Sequence, residues 1–207
     1  MTKDFFSRSD VNIDIGFRCA LECPNCQRSR HYTKFNNPVR GYDLSLDEFL
    51  KVASHFKSIH FCGQFSDPVH HPKFIEFLEI CFKKNIEVHV HNASSAKSKD
   101  WYKRAFQTNP DALWWFGIDG LPHQSHLYRI NQDGNKLFDI MIESKKYLKK
   151  SPIWQYIVFR YNEDNVEEAK KIAEENEVSF NLVISSRWNN SNDPLIPTKK
   201  EYRMSLK

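Results

Sequence analysis

The chain has 207 residues, 40% of them hydrophobic, and its 30 basic and 26 acidic side chains leave a net charge of +4. That length suits one domain whose core needs no disulfide staples, and the hydrophobic content excludes wholesale disorder. The mild charge argues against nucleic acid or an anionic membrane as partner. The longest apolar stretch, about seven residues, falls far short of a bilayer span, and the N-terminus lacks a secretory apolar region. A soluble cytoplasmic protein is expected.

In chain order, 11–17 reads as a short buried strand in which Asn12 and Asp14 alternate with apolar residues. The polar stretch 27–43 reads as a long loop. Ser45 with Glu48 three residues on is a capping box. It opens a helix whose inner face is Leu46, Phe49, Leu50, Ala53 and Phe56. A strand over 58–62 ends at Gly63, and a helix over 72–84 starts on Pro72. The alternation of 86–91 predicts a strand, 99–106 a weak helix, and 113–118 a buried strand ended by Asp119-Gly120. Trp114 and Trp115 read as core, since this strand is apolar on both faces. Further on come a helix over 137–148, a strand over 153–159, an amphipathic helix over 164–175 and a last strand over 179–184. Residues 1–188 form the expected domain, and 189–207 a polar C-terminal tail.

Such alternation of strands and helices predicts an α/β fold with parallel strands joined by right-handed crossovers. A doubly wound sheet and a partial barrel both fit it. In either, chemistry gathers at the carboxyl ends of the strands. Cys19, Cys23 and Cys26 follow the first strand, Gly63 to Asp67 the second, Asn92 the third and Asp119 the fourth.

The five cysteines are an odd number, and three fall within eight residues. This excludes a secreted disulfide framework and points to metal or thiol chemistry. Cys81 sits at helical spacing with Phe74, Phe77 and Leu78 and reads as core. Cys62 ends a strand and faces either the core or a site. The triplet Cys-x3-Cys-x2-Cys on one loop can grip three irons of a cubane cluster, leaving the fourth iron open to an outside ligand. Taken alone, the triplet also fits a zinc site with His31 as fourth ligand, Cys3His.

The triplet after the first strand resembles the radical S-adenosylmethionine (SAM) superfamily, and the resemblance runs over roughly 11–184. It implies a partial (β/α)6 TIM-like barrel and a [4Fe-4S] cluster on Cys19, Cys23 and Cys26. It also implies a SAM molecule whose amino and carboxylate groups chelate the open iron. In that family the reduced cluster cleaves SAM to a 5′-deoxyadenosyl radical, which takes hydrogen from substrate. Ser66-Asp67-Pro68 resembles the family's Gly-Glu-Pro stretch, with Ser and Asp as departures. A second register sets Cys62-Gly63-Gln64 on Gly-Gly-Glu. Gly63, Gln64, Ser66 and Asp67 are therefore all candidates for the SAM amino group. Asn25 in the triplet, Asn92 after the third strand, and Asp119 with Arg129 complete the implied SAM contacts.

A strand end followed by Asn162 is similar to one subgroup, the peptide-modifying enzymes bearing a SPASM domain. No cysteine follows Cys81, so a single cluster and a bare catalytic core are expected. The resemblance further implies an electron donor such as flavodoxin or ferredoxin, and a peptide or small-molecule substrate. The alternatives are a non-catalytic zinc-stabilised adaptor domain and a degenerate relative that has lost SAM.

Overall fold

The structure is a computed structural model and describes residues 9–188 and 190–203. Six parallel strands lie in the order β1 to β6: Asp10–Ile13, Ser58–Cys62, Glu87–Asn92, Leu113–Gly117, Ile153–Val158 and Ser179–Ile184. Helices α1 (Gln27–Phe35) and α2 (Leu46–His55) both precede β2, and α3 (Phe74–Lys83), α4 (Lys99–Thr108), α5 (Gly134–Ser144) and α6 (Val166–Glu175) each fill one later crossover. Sequential order decides between the two folds that alternation allows. Right-handed crossovers that always step the same way put every crossover helix on one face of the sheet. The opposite face is then free to curl inward, as in a barrel, and here β1 and β6 stay apart as open edges.

The two faces differ in chemistry. Ile59 and Phe61, Val88 and Val90, Trp114 and Phe116, and Trp154, Tyr156 and Val158 are fully buried under the helices. Their neighbours of opposite parity, among them His60, His89, Trp115 and Gln155, are only half-buried and face the concave side. Phe49 on α2 stacks on Phe77 of α3 at 4.1 Å, tying the helical layer together. The Ser45 capping box is present in full. Leu50, expected on the inner face of that helix, is 41% exposed.

Two segments depart from expectation. The stretch 27–43 is not all loop, because α1 occupies its first half. This helix buries none of its residues, so it has no apolar stripe for periodicity to detect. Its ends are set locally, by Cys26 at the N-cap and Asn36 in the left-handed conformation at the C-cap. The second departure is the presumed tail. Residues 193–203 are docked: Leu195 packs against Phe159 and the cysteine loop, Asp193 is buried, and Tyr202 lies against the main core.

Glu163 anchors this segment. Its carboxylate accepts from the Thr198 N–H at 2.8 Å, the Lys199 N–H at 2.9 Å and the Thr198 hydroxyl at 2.6 Å. Burial opposes ionisation, but these donors outweigh it and hold Glu163 below the usual glutamate value of 4.5. Because the folded value is the lower one, this stabilisation is present above pH 4.5 and is lost as the pH falls. Glu163→Gln, which turns an amide N–H toward backbone donors, is expected to cost about 1–3 kcal/mol. The readout is a lower urea midpoint together with faster amide exchange confined to 193–199; unchanged exchange there would refute the anchor.

Candidate functional site

A cavity of about 410 Å³ opens at the carboxyl ends of the strands. Cys19, Cys23 and Cys26 all line it. Their loop is held by a turn from the Cys26 N–H to the Cys23 carbonyl at 3.1 Å, and the Leu21 N–H points at the Cys19 sulfur at 3.4 Å. Leu21, Tyr128 and Phe159 form an apolar cluster around the three thiols. Burial, with the Asp67 charge adding to it, pushes the Cys19 thiol up to about 12. Burial also raises Cys23, opposed by the neighbouring Arg129. Thiols in such surroundings ionise when they bind a cation.

The donor set fits an iron–sulfur cube. A cube takes each thiolate on a different iron, so the three need only face one cavity from one loop, as they do. The His31 ring is turned elsewhere: it bonds Asn37 at 3.2 Å and packs on Phe35.

Across the cavity, residues 63–66 make a tight turn at the end of β2. A Cβ on Gly63 would lie 1.5 Å from the Ser66 carbonyl oxygen, so only glycine fits. The turn is clamped by Asp14, whose carboxylate accepts from the Gln64 N–H at 3.0 Å, the Ser66 N–H at 3.2 Å and the Ser66 hydroxyl at 2.8 Å. The Gln64 carbonyl then stands 3.8 Å from the Cys26 sulfur. Strand β1 ends at Ile13 rather than running to residue 17. That early exit frees Asp14 for the turn.

Asp67 lines the cavity, but its oxygens are committed to backbone. One accepts from the Val69 N–H at 3.2 Å, the other from the Ala93 and Ser94 N–H groups at 2.8 and 3.0 Å. Burial pushes its carboxyl up to about 6, against the pull of these donors. Asn92 is likewise engaged, donating to the Tyr102 hydroxyl at 3.0 Å and accepting from the Ser94 N–H at 3.0 Å. Asn25 is buried and donates to Asp193 at 3.4 Å, behind the cysteine loop.

Asp119 and Arg129, each named as an implied SAM contact, form an ion pair with each other. Asp119 is fully buried; it takes the Arg129 Nε–H on one oxygen and the Ile157 N–H on the other, both at 2.8 Å. With both oxygens accepting, the pair is ionised, and the facing carboxylate raises Arg129 despite its burial. Arg129 lines the cavity and Asp119 does not. Gly117 makes the room, since a Cβ there would come within 2.9 Å of the Arg129 Nη2.

Sequence reasoning missed several participants. The task of Asp14 rests on a turn fifty residues away. Gln132 donates to the Ala93 and Gly117 carbonyls, bridging the exits of β3 and β4. Trp115, expected in the core beside Trp114, instead lines the cavity together with His91 and Gln155. Cys62 lines it too, as its place at a strand end had allowed.

No family model and no curated protein matches the chain. Solved structures do. SuiB from Streptococcus suis, bound to S-adenosylmethionine, superposes with a TM-score of 0.70 over 93% of this chain and 44% of that one, at 10% identity. SuiB bound to the precursor peptide SuiA gives 0.66 over 84% and 39%, at 12% identity. Methylornithine synthase (PylB) gives 0.64 over 90% and 55%, at 10% identity. A radical SAM methyltransferase from Sphaerobacter thermophilus gives 0.63 over 94% and 61%, at 14% identity. The chain thus spans about half the length of the structures it resembles. With six parallel strands in sequential order and the cysteine triplet after the first, it has the partial-barrel fold of the radical SAM enzymes.

Proposed function

We propose that this chain is a radical SAM enzyme in which Cys19, Cys23 and Cys26 hold a [4Fe-4S] cluster and SAM binds beside it. The observation that carries the reading is a single cavity at the strand ends, lined by the three cysteines, the 63–67 turn and Arg129. When bound, the cluster and SAM supply a one-electron cleavage that yields a carbon radical able to take hydrogen from a substrate.

The chain's own groups sort into two tasks. Arg129 keeps the guanidinium nitrogens not used by Asp119 for the SAM carboxylate, a charge-assisted contact. Asp119 is its positioning residue. Gly63 and Gln64 lie on the turn nearest the cysteine loop, and the carbonyl beside Cys26 favours this register for the SAM ammonium. Ser66 and Asp67 then act through the backbone: Ser66 seals the turn on Asp14, and Asp67 fixes the exit of β3 beside Asn92. Asn25 steadies the triplet from behind. Leu21, Tyr128 and Phe159 keep water from the thiols.

SuiB is solved with a precursor peptide, and a peptide is the substrate class we favour here. The concave face is open between β1 and β6, which admits an extended chain. Flavodoxin or ferredoxin is the electron donor in this reading, and the cytoplasm its compartment. No helix among the described residues is long and apolar enough to cross a membrane.

Anaerobic reconstitution is expected to load about four irons per chain, with an EPR signal of the reduced protein that changes on adding SAM. Cys19→Ala, Cys23→Ala and Cys26→Ala each abolish loading, whereas Cys81→Ala, in the helix core, keeps it. Bound zinc without a cluster would overturn the reading. Arg129→Lys and Asp119→Asn should leave the SAM-free EPR signal in place and weaken SAM about 10- to 100-fold, the worth of one charge-assisted contact. Equilibrium titration of the SAM-induced signal measures this, and an unchanged affinity in both variants would remove Arg129 from the SAM site.

A further inference from the structure

The concave face carries a row of aromatic rings that the SAM contacts do not use. His60 on β2 and His89 on β3 are direct partners across the sheet, as are His91 on β3 and Trp115 on β4. Their rings stack in sequence. His89 and His60 are 4.1 Å apart at 17°, His60 and His91 6.3 Å at 22°, and His91 and Trp115 5.0 Å at 16°. The row ends at Trp115, whose partner on β5 is Ile153, an aliphatic residue. Among the described residues Trp115 has one ring neighbour, His91. It lines the cavity with His91, Cys62 and Gln155, and the Gln155 side chain makes no hydrogen bond among the described residues.

Trp115, His91, Cys62 and Gln155 carry no formal charge of their own, and Arg187, which also lines the cavity, donates to the Gln64 side-chain oxygen at 3.4 Å. Desolvation, with the nearby His60 and His89 adding to it, lowers His91 to about 4, so its ring is neutral at neutral pH. The Asp14 and Asp67 carboxylates are held by backbone N–H groups of the 63–66 turn and the exit of β3. Arg129 is paired with Asp119, and Arg28 is turned to the Leu21 carbonyl on the cysteine-loop side. An ionised ligand group would lose its hydration against Trp115 and Gln155, neither of which offers a counter-charge. A flat neutral group would gain a stacking face and the free amide of Gln155.

We propose that Trp115 and Gln155 form a subsite for an uncharged aromatic or heteroaromatic ring of the substrate, which continues the stack and takes hydrogen bonds from the amide. The assignment to substrate rests on the radical SAM reading; the ring site itself does not. A ring at this place has two possible sources, the substrate or the adenine of SAM, and the test separates them.

Saturation-transfer NMR on the full-length chain, with N-acetyl-tyrosinamide, N-acetyl-leucinamide and N-acetyl-glutamate as probes, reads the site directly. The tyrosinamide ring protons are expected to be saturated, and the other two probes are not. Trp115→Leu should weaken tyrosinamide roughly tenfold, the worth of one stacked ring. Gln155→Leu, which keeps the stack and the volume, should weaken it severalfold and serves as the second variant if Trp115→Leu does not fold. Equal saturation of the aliphatic amide, or equal binding by both variants, would overturn the subsite.

Adding SAM to the cluster-loaded protein gives the second arm. Tyrosinamide that stays bound supports a substrate ring, whereas its displacement by SAM assigns the stack to adenine and overturns the substrate claim. A protein that binds tyrosinamide but neither cluster nor SAM keeps the ring site and loses the radical SAM reading. One that binds cluster and SAM but not tyrosinamide does the reverse.

Discussion

The carboxyl end of a parallel sheet is where the chain leaves its ladder, and backbone N–H groups there lose their partners. Buried N–H groups cannot be left without an acceptor. This molecule meets that constraint with carboxylates placed just past its strands. Asp14, after β1, caps the turn after β2. Asp67, after β2, caps the exit of β3. Asp119, after β4, takes an N–H of β5 and the side chain of Arg129. Glu163, after β5, takes the docked C-terminal segment. Three of the four reach from their own exit to the next strand along, and Glu163 reaches to the last segment described. The loops that build the cavity are thereby tied to one another as well as to the strands beneath them.

That use of carboxylates sets the electrostatics of the site. Each accepts from backbone N–H groups yet keeps its charge, so that Asp67 helps to raise Cys19 and Asp14 helps to raise Cys62. Arg28, Arg129 and Arg187 remain along its lining. Arg28 favours the Cys19 thiolate and Arg129 that of Cys23, but burial outweighs both and keeps the two thiols raised. Trp115 and Gln155 add uncharged walls to the same cavity. One cavity therefore combines charged side chains carried by the loops with uncharged ones carried by the sheet.

Features with a local cause were legible in the sequence. Helices α2 to α6 and the six strands follow from apolar periodicity, and the Ser45 capping box needs only its own four residues. The cysteine triplet is local too, which is why its place on the cavity could be read. The rest depends on partners far away in the chain. Helix α1 buries nothing and so shows no stripe. The 193–203 segment looked like a tail because its polar residues find acceptors only when folded against Glu163. Asp67 was a candidate through its likeness to the acid of a Gly-Glu-Pro stretch, and its bonds to the Ala93 and Ser94 N–H groups, nearly thirty residues on, leave no local mark.

Trp114 and Trp115 show how sharply a strand can divide its labour. They are adjacent, alike in composition, and point to opposite faces of the sheet. Trp114 is fully buried beneath the helices, edge-on to Phe106 at 4.9 Å. Trp115 stacks on His91 in the cavity wall. Periodicity cannot assign the faces when both neighbours are apolar, because the alternation that would mark them is absent. The neighbouring strands supply it. His60, His89 and His91 interleave with Phe61, Val88 and Val90, and the pairing of His91 with Trp115 carries that parity onto β4. The face of a residue in this sheet is thus a property of the register, and a strand that hides its own pattern can be read from the strand beside it.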